Sequence, residues 1–198
     1  MPPPRMHPRT TALLVVDIQN CLVPTIHAGD AMIASVRGLI QGCALLEMPV
    51  IVTEQYVRGL GHTCEQISQV LPTGTPVFEK MAFSALTQQV ASAIRDARCT
   101  SLIVCGIEAH VCVLQTVLDC CASGLQAFHA TDAISAGQAD QIEPAFRRME
   151  RAGSTPTGAL SALYELMQSC EHPAFKQMLP VAKDILAGRN AVDLPRSR

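Results

Sequence analysis

The sequence predicts an α/β fold, a three-layer sandwich in which helices cover both faces of a six-stranded parallel sheet. Two observations support this fold class. Six short apolar runs, most of them rich in β-branched residues, alternate along the chain with segments whose apolar residues recur at helical spacing. Strands that alternate with helices form βαβ units, which join parallel strands through right-handed crossovers. We therefore expect one sheet and one core.

The first half of the chain begins with its most apolar run. TALLVVD, residues 11–17, is nearly continuous in apolar residues and ends in an acid, as expected of a strand buried on both faces. Helical spacing over residues 33–46 predicts a helix, and MPVIVTEQ, residues 48–55, is the second strand. A weaker helical stretch is predicted over residues 62–71, and PVFEK, residues 76–80, is a short third strand.

The second half continues the alternation to the end of the chain. Its elements are a helix over residues 86–97, the strand TSLIVCG at 100–106, a helix with Cys112 in its first turn, the strand LQAFHATDA at 125–133, a helix over 142–149, a short strand near 153–157, and C-terminal helices. Pro180 is predicted to divide the last of these, because proline cannot continue a helix without losing a hydrogen bond.

Length and composition define the domain boundaries. The chain has 198 residues, of which 48% are hydrophobic, and this is enough for one sizeable core. We expect a single domain over residues 10–190. A disordered N-terminal arm is predicted over residues 1–9, which are rich in proline, and a tail over residues 191–198.

Charge and cysteine content exclude several classes of protein. The net charge of −2 gives no general attraction for nucleic acid or anionic membranes, and no apolar run approaches the length of a membrane span. The nine cysteines are odd in number and scattered through apolar runs, which indicates reduced thiols in an intracellular protein. The cytoplasm is favoured, with the mitochondrion as the alternative because the first nine residues contain two arginines and no acid.

Three reactive side chains follow strands of the predicted sheet. With strand order 3-2-1-4-5-6, Asp17 and the glycine turn before Cys112 end neighbouring strands, and Lys80 ends the third strand at the same edge. Free N–H groups at a helix start favour negative charge, so a thiolate at Cys112 should form easily and an oxyanion should be held there. The alternative roles are a core thiol for Cys112, a turn cap for Asp17 and a solvated cation for Lys80.

Three motifs carry a resemblance to a known family. They are LLVVDIQN, VFEKMAFSA and CGIEAHVCVLQTVLD, and across residues 10–170 they resemble the isochorismatase-like cysteine hydrolases, which include nicotinamidases. The match is closest to the isochorismatase-domain subgroup, of which some kinetoplastid members are labelled mitochondrial-associated ribonucleases.

The resemblance implies a catalytic triad. Cys112 would attack a carbonyl to give a thioester, Asp17 would accept the thiol proton, and Lys80 would pair with Asp17. The backbone N–H groups of Glu108 and Cys112 would hold the oxyanion, beside a cis peptide bond between Ile107 and Glu108.

A substrate pocket is expected around these groups. His110 is either part of the pocket wall or a solvent-facing residue, since positions i and i+2 of a helix do not face each other and a Cys–His dyad is therefore disfavoured. The role of the Glu108 side chain stays open between a second acid in the site and a group that points away. The expected lining residues are Gln19, Glu54, Gln55, Tyr56, Phe83, Ile107 and His110.

No metal or other cofactor is expected. Nicotinamidases hold a divalent metal with an aspartate and two histidines after the second strand, but this chain has TEQYVRGLGH there, with His62 as the single histidine.

The predicted function is a hydrolase that cleaves a C–N bond of a small amide through a thioester. The expected partners are a small-molecule substrate and further copies of the chain, with no nucleic acid and no membrane. Two alternatives are kept: a ribonuclease, and a catalytically idle oligomeric interaction protein.

Overall fold

One parallel sheet organises the molecule, and its strand order is the predicted 3-2-1-4-5-6. The structure is a computed structural model that describes residues 4–193. Its strands are β1 (Thr11–Val16), β2 (Val50–Gln55), β3 (Val77–Lys80), β4 (Ser101–Gly106), β5 (Gln126–Ile134) and β6 (Thr155–Thr157). All neighbouring strands pair in parallel, as crossover connections require. The predicted α/β fold class and sheet order are confirmed.

Helices cover both faces of this sheet. They are α1 (Gly29–Leu45), α2 (Val57–Leu60), α3 (Glu65–Ser68), α4 (Gln88–Asp96), α5 (Leu114–Ala122), α6 (Ile142–Arg151), α7 (Ala159–Met167) and α8 (Phe175–Asp193). Side chains alternate between the two faces of a strand, so Leu13 and Val15 of β1 pack with α1, α7 and α8, whereas Leu14 and Val16 pack with α4, α5 and α6. Within the described residues, no helix is long and apolar enough to cross a membrane.

The C-terminal helix differs from its prediction. α8 is continuous through Pro180, so the expected division is wrong. Proline removes a single backbone donor, and the helix is held by neighbours on both sides of it, because Met178 and Ile185 are buried in the core shared with α1. The helix continues to Asp193, past the expected start of a tail at residue 191, and residues 194–198 lie outside the described part.

The N-terminal segment also differs from its prediction. Met6, in the segment expected to be a disordered arm, is 2% exposed and belongs to the core cluster with β1 and α1. Its N–H donates to Glu165 Oε1 over 2.9 Å, and the N–H of His7 donates to Thr11 Oγ1 over 3.1 Å. Residues 4–9 therefore pack on the domain because a buried methionine anchors them; residues 1–3 lie outside the described range.

The helical stretch predicted over residues 62–71 is reduced to the four residues of α3. The N–H of Thr63 donates to the Glu54 carboxylate, and that of Cys64 donates to the Ile18 carbonyl. These bonds to β2 and to the end of β1 replace the bonds of a helix at its predicted start.

Candidate active site

Asp17 leaves β1 in an unusual backbone conformation and is completely buried. Its φ angle is 53°, in the left-handed region that side chains other than glycine rarely adopt. The neighbouring strand holds it in place, because Asp17 N–H donates to the Thr53 carbonyl over 3.1 Å and Thr53 Oγ1 donates to Asp17 Oδ1 over 2.8 Å. Thr53 was missed by the sequence analysis, although the pairing of Val16 with Thr53 in the sheet places it beside the residue that follows Val16.

Lys80 brings a positive charge to the second oxygen of the same carboxylate. Lys80 Nζ lies 2.6 Å from Asp17 Oδ2, and both side chains are completely buried. The same ammonium donates to Gln55 Oε1 at 2.6 Å, to the Phe83 carbonyl at 3.0 Å and to the Ala82 carbonyl at 3.2 Å. Buried ions need this kind of compensation, since transfer out of water costs several kcal/mol per charge.

Cys112 lies in an irregular turn between β4 and α5. The turn begins at Gly106, continues through a cis peptide bond between Ile107 and Glu108, and enters a π-helical turn over Ala109–Val113. The sequence predicts an ordinary first helical turn here, and the structure differs from that prediction. Wider π-helical turns occur often at functional sites, and this one carries Cys112, whose residue surface is 7% exposed.

The thiol is harder to ionise than the sequence led us to expect. Burial is the main reason that the pKa of Cys112 is raised to about 12; the negative charge and hydrogen bonding of Asp17 contribute to this rise, while Lys80 acts in the opposite direction. The expectation that a helix start would favour the thiolate is therefore wrong for the free protein, because desolvation outweighs the local dipole. Cys112 is a neutral thiol at pH 7, close to a carboxylate that can accept its proton.

The backbone N–H groups near Glu108 differ in whether they already have a hydrogen-bond acceptor. Ala109 N–H is already used, since it donates to the Ser135 carbonyl over 2.8 Å. Within residues 4–193, the N–H of Glu108 has no hydrogen-bond acceptor. The N–H of Cys112 lies inside the π-helical turn.

Gln19 and Gln55 support the site instead of lining it. The Gln55 N–H donates to Gln19 Oε1 over 2.7 Å, and Gln19 Nε2 donates to the Gln55 carbonyl over 2.9 Å and to the Gly61 carbonyl over 2.5 Å. Gln19 is completely buried and Gln55 nearly so. The expectation that they form a pocket wall is corrected here, because their polar atoms bind the protein itself.

Glu54 also does not form the predicted pocket wall, because its carboxylate binds other residues of the protein. Its Oε1 accepts the N–H and the hydroxyl of Thr63, each over 2.7 Å, and its Oε2 lies 3.0 Å from His62 Nδ1. Burial opposes ionisation of this carboxyl, but the hydrogen bonds from Thr63 and His62 outweigh it and lower the pKa of Glu54. The residue fastens the loop that follows α2.

The apolar candidates for the pocket differ in exposure. Ile107 is completely buried and packs in the core on the α1 side of the sheet, which corrects its place in the predicted wall. Tyr56 is 46% exposed and Phe83 53% exposed, at the ends of β2 and β3, and Met81 beside Lys80 is 69% exposed. Met81 was not among the predicted site residues.

Glu108 and His110 lie together beside the turn that carries Cys112. Glu108 Oε2 accepts the Gly137 N–H over 3.2 Å and lies 3.8 Å from His110 Nδ1. Both side chains are about one quarter exposed. The Glu108 side chain therefore binds the loop after β5, which answers the question left open by the sequence.

Within the described residues, no group of three or more His, Cys, Asp or Glu side chains is arranged to hold a metal ion. His62 pairs with Glu54 in the segment where nicotinamidases are expected to bind their metal.

Comparison with known proteins finds extensive similarity. Residues 11–160 match the family model described as the isochorismatase domain. Isochorismatase family protein 1B of Dictyostelium discoideum is 32% identical over 180 residues, which cover 89% of this chain and 87% of that protein. The secreted isochorismatase effector Isc1 of Phytophthora sojae is 32% identical over 193 residues, covering 96% and 92%. The structure of MAR1 ribonuclease from Caenorhabditis elegans superposes with a TM-score of 0.88 at 35% identity, covering 98% of this chain and 100% of that one.

Proposed function

This chain belongs to the isochorismatase family of hydrolase-like proteins, and we propose that it is a cysteine hydrolase that cleaves a C–N bond of a small amide. The observation that carries the proposal is the buried ion pair of Asp17 and Lys80, 2.6 Å apart, next to the thiol of Cys112. Burying two charges carries a desolvation cost that their mutual attraction offsets only in part, and these two charges act directly on the ionisation of a thiol, as is typical of functional sites.

The first half of the reaction forms a thioester. Cys112 Sγ attacks the amide carbonyl carbon while Asp17 accepts the thiol proton, and the carbonyl oxygen becomes an oxyanion that the N–H groups of Glu108 and Cys112 stabilise. The tetrahedral intermediate then expels the amine, which takes the proton from Asp17 as the C–N bond breaks. In the second half, water attacks the thioester with Asp17 as base, giving a carboxylic acid and the free thiol.

The high pKa of Cys112 fits this order of events. A thiol with a pKa of about 12 has almost no thiolate at neutral pH, so its proton must leave as the new C–S bond forms. That requires a base in contact with the thiol, which Asp17 supplies. Lys80 limits the cost of the negative charge that moves onto sulfur.

Trapping the thioester tests the proposal directly. The purified protein is treated with an activated acyl ester, and the acylated peptide is located by mass spectrometry. Cys21 and Cys170 are exposed, so the experiment uses the Cys21→Ser/Cys170→Ser background to remove competing thiols. We expect acylation at Cys112, and release of amine from a panel of small amides that is lost in Cys112→Ala and in Asp17→Asn. Acylation elsewhere, or turnover that survives Cys112→Ala, would contradict the assignment.

A ribonuclease is the second candidate, favoured by the similarity to the structure named MAR1 ribonuclease. Among the described residues, Lys80 is the cation that acts on Cys112, and its ammonium is enclosed by protein oxygen atoms. The chain has a net charge of −2. Incubation of labelled RNA with the wild-type protein and with Cys112→Ala separates the candidates. RNA cleavage by both proteins, without amide turnover, would establish the nuclease and exclude the cysteine hydrolase. If neither activity is found and Cys112 is not acylated, the catalytically idle interaction protein is the better account.

We also propose that the chain self-associates. β3 is one of the two edge strands of the described sheet, and Val77 on it and Met81 after it are exposed apolar residues. A reducing intracellular compartment is the proposed location, supported by cysteines that pack in the apolar core, such as Cys43 and Cys105.

A further inference from the structure

The ammonium of Lys80 has more acceptors than hydrogens. Four protein oxygens lie within 3.2 Å of Nζ, those of Asp17, Gln55, Ala82 and Phe83. An ammonium group carries three hydrogens, so the protein can use all of them and leave none for a substrate. In this site Lys80 is therefore a fixed positive charge, and its exact position decides how strongly it acts on Asp17 and Cys112.

Hydrogen bonds hold the side-chain amide of Gln55 so that its Oε1 faces the ammonium of Lys80. Its Oε1 accepts from Lys80 Nζ over 2.6 Å, while its Nε2 donates to the Met81 carbonyl over 2.9 Å. Because Lys80 only donates and a carbonyl only accepts, these two partners fix which way the amide faces. Gln55 and Asp17 thus hold the ammonium from two sides, but only Asp17 is charged.

The side chain of Gln19 holds the backbone of Gln55 in place. Its side-chain amide bonds both the N–H and the carbonyl of Gln55, at 2.7 and 2.9 Å, as a neighbouring strand would. The pairing of β1 with β2 ends at Val16 and Thr53, and the chain turns away from β2 at Asp17. The side chain of Gln19 then takes the place of a strand backbone beside Gln55. The path from Gln19 through Gln55 to Lys80 is buried along its whole length.

We propose that Gln55 is a positioning residue for Lys80, and that Gln19 positions Gln55 in turn by holding its backbone. The inference rests on the proposed function, in which the charge of Lys80 supports transfer of the thiol proton to Asp17. Neither amide touches the substrate; their role is to keep the ammonium between the carboxylate and the thiol.

The first test measures where Lys80 is held, without any substrate. The chain has three lysines, and Lys176 and Lys183 are exposed, so they serve as internal standards for reductive methylation followed by peptide mass spectrometry. Wild-type Lys80 should resist methylation. Gln55→Met, which removes the acceptor but keeps the length, should raise methylation of Lys80 several-fold relative to both standards. Gln55→Glu should restore the protection, because a carboxylate also accepts from the ammonium.

The second test measures what the position of Lys80 does to Cys112. The rate of iodoacetamide alkylation at Cys112 is followed against pH for the same proteins. At a fixed pH near neutrality, Gln55→Met should slow alkylation of Cys112 relative to the wild type, and Gln55→Glu should slow it more, because it adds a negative charge. An increase of one unit in the pKa of the thiol corresponds to about tenfold slower alkylation at a fixed pH below that pKa. Gln19→Met should change both measurements in the same direction as Gln55→Met.

A matched control separates positioning from loss of stability. Thr11→Val breaks a buried hydrogen bond of 2.8 Å to Ser101 at the amino-terminal ends of β1 and β4, the ends away from the site, and should leave both measurements as in the wild type. The proposal is overturned if Gln55→Met leaves Lys80 protected and the Cys112 profile unmoved, or if Thr11→Val gives the same changes. Failure of the proposed function would instead appear as amide turnover that survives Cys112→Ala, and the methylation result for Lys80 can be interpreted in either case.

Discussion

The ionisation of Cys112 is controlled by two charges of opposite sign that touch each other. Asp17 raises the pKa of the thiol and Lys80 lowers it, on top of the larger increase caused by burial. In the proposed reaction, the same carboxylate that raises the pKa of the thiol also takes its proton during attack. Thiol reactivity and catalysis should therefore respond in opposite directions to loss of the Asp17 charge.

Asp17→Asn tests this opposition. The variant removes the charge that raises the pKa of Cys112 and leaves that of Lys80, so alkylation of Cys112 at pH 8 should become faster. Amide turnover should fall by a factor of about 100 or more, because a general base is lost. Rates of alkylation and of amine release are measured on the same preparation. Lys80→Met is the comparison and should slow both; an Asp17→Asn protein that alkylates more slowly but still turns over would exclude Asp17 as base.

His129 makes the stability of the protein depend on pH. Its ring is completely buried, Nδ1 lies 2.9 Å from Ser154 Oγ, and Nε2 is buried without a partner among the described residues. Burial lowers the pKa of His129 from 6.5 to about 4, so between these values the unfolded chain binds more protons than the folded one. Stability from this residue is complete above pH 6.5 and decreases as the pH falls toward 4. The loss amounts to about 3 kcal/mol for a shift of this size.

Urea unfolding at pH 7 and pH 5 measures this effect. We expect the free energy of unfolding of the wild type to fall more between the two pH values than that of His129→Asn. Asparagine keeps a donor for Ser154 but does not titrate. Equal falls in the two proteins would show that His129 does not contribute to the pH dependence.

At the scale of elements, the close approach of β4 to β1 depends on Gly106. Its φ angle is 119°, and a Cβ atom there would lie 2.1 Å from the Val16 carbonyl oxygen. No backbone can accept that contact, so Gly106→Ala must push the end of β4, and the turn with Cys112, away from Asp17. We expect a loss of about 3 kcal/mol in the free energy of unfolding, together with loss of turnover.

Gly124→Ala is the matched control for Gly106→Ala. Gly124 also has a positive φ, 83°, but a Cβ atom there would meet nothing within 4 Å. Gly124→Ala therefore introduces backbone strain without a steric clash, and we expect a loss of about 1 kcal/mol in the free energy of unfolding with normal turnover. Equal costs in urea unfolding would mean that the contact with Val16 is relieved without moving β4.

The elements differ in how far the sequence determines them. The strands were predictable because buried parallel strands are continuous apolar runs, and Asp17, Lys80 and Cys112 could be placed from the strand ends alone. The π-helical turn at Ala109–Val113 was not, because its wider spacing leaves no apolar period over five residues. The continuity of α8 through Pro180 was also missed, since it depends on packing against α1, which a local pattern does not contain.

At the scale of the whole molecule, the strand order creates the site. Asp17, Lys80 and Cys112 are far apart in sequence, but each follows or ends a strand, and the order β3-β2-β1-β4 places the carboxyl ends of those strands at the same end of the sheet. Side chains between those strands then fix the details. Gln19 shows why these could not be predicted: a polar residue after a strand is equally compatible with a pocket wall, and only its two bonds to the Gln55 backbone reveal a support.

The edge at β3 leads to a prediction about assembly. β3 pairs with β2 on one side only, and around it four apolar side chains are between 45% and 69% exposed, those of Val77, Tyr56, Phe83 and Met81. An exposed strand edge with apolar neighbours is normally covered in a stable protein. We expect light scattering after size exclusion to give a mass of at least twice the 21.2 kDa of one chain.

Charged substitutions identify the surface that is covered. Val77→Glu with Met81→Glu should shift the mass toward the monomer, because a buried interface would have to accommodate unpaired carboxylates. Leu179→Glu with Leu186→Glu introduces the same charges on α8, where both side chains are also exposed, and should leave the mass unchanged. A monomeric wild type would refute self-association. A shift caused by the α8 pair alone would keep self-association and move the interface from the β3 edge to the face of the sheet that bears Leu13 and Val15, where α8 packs with α1.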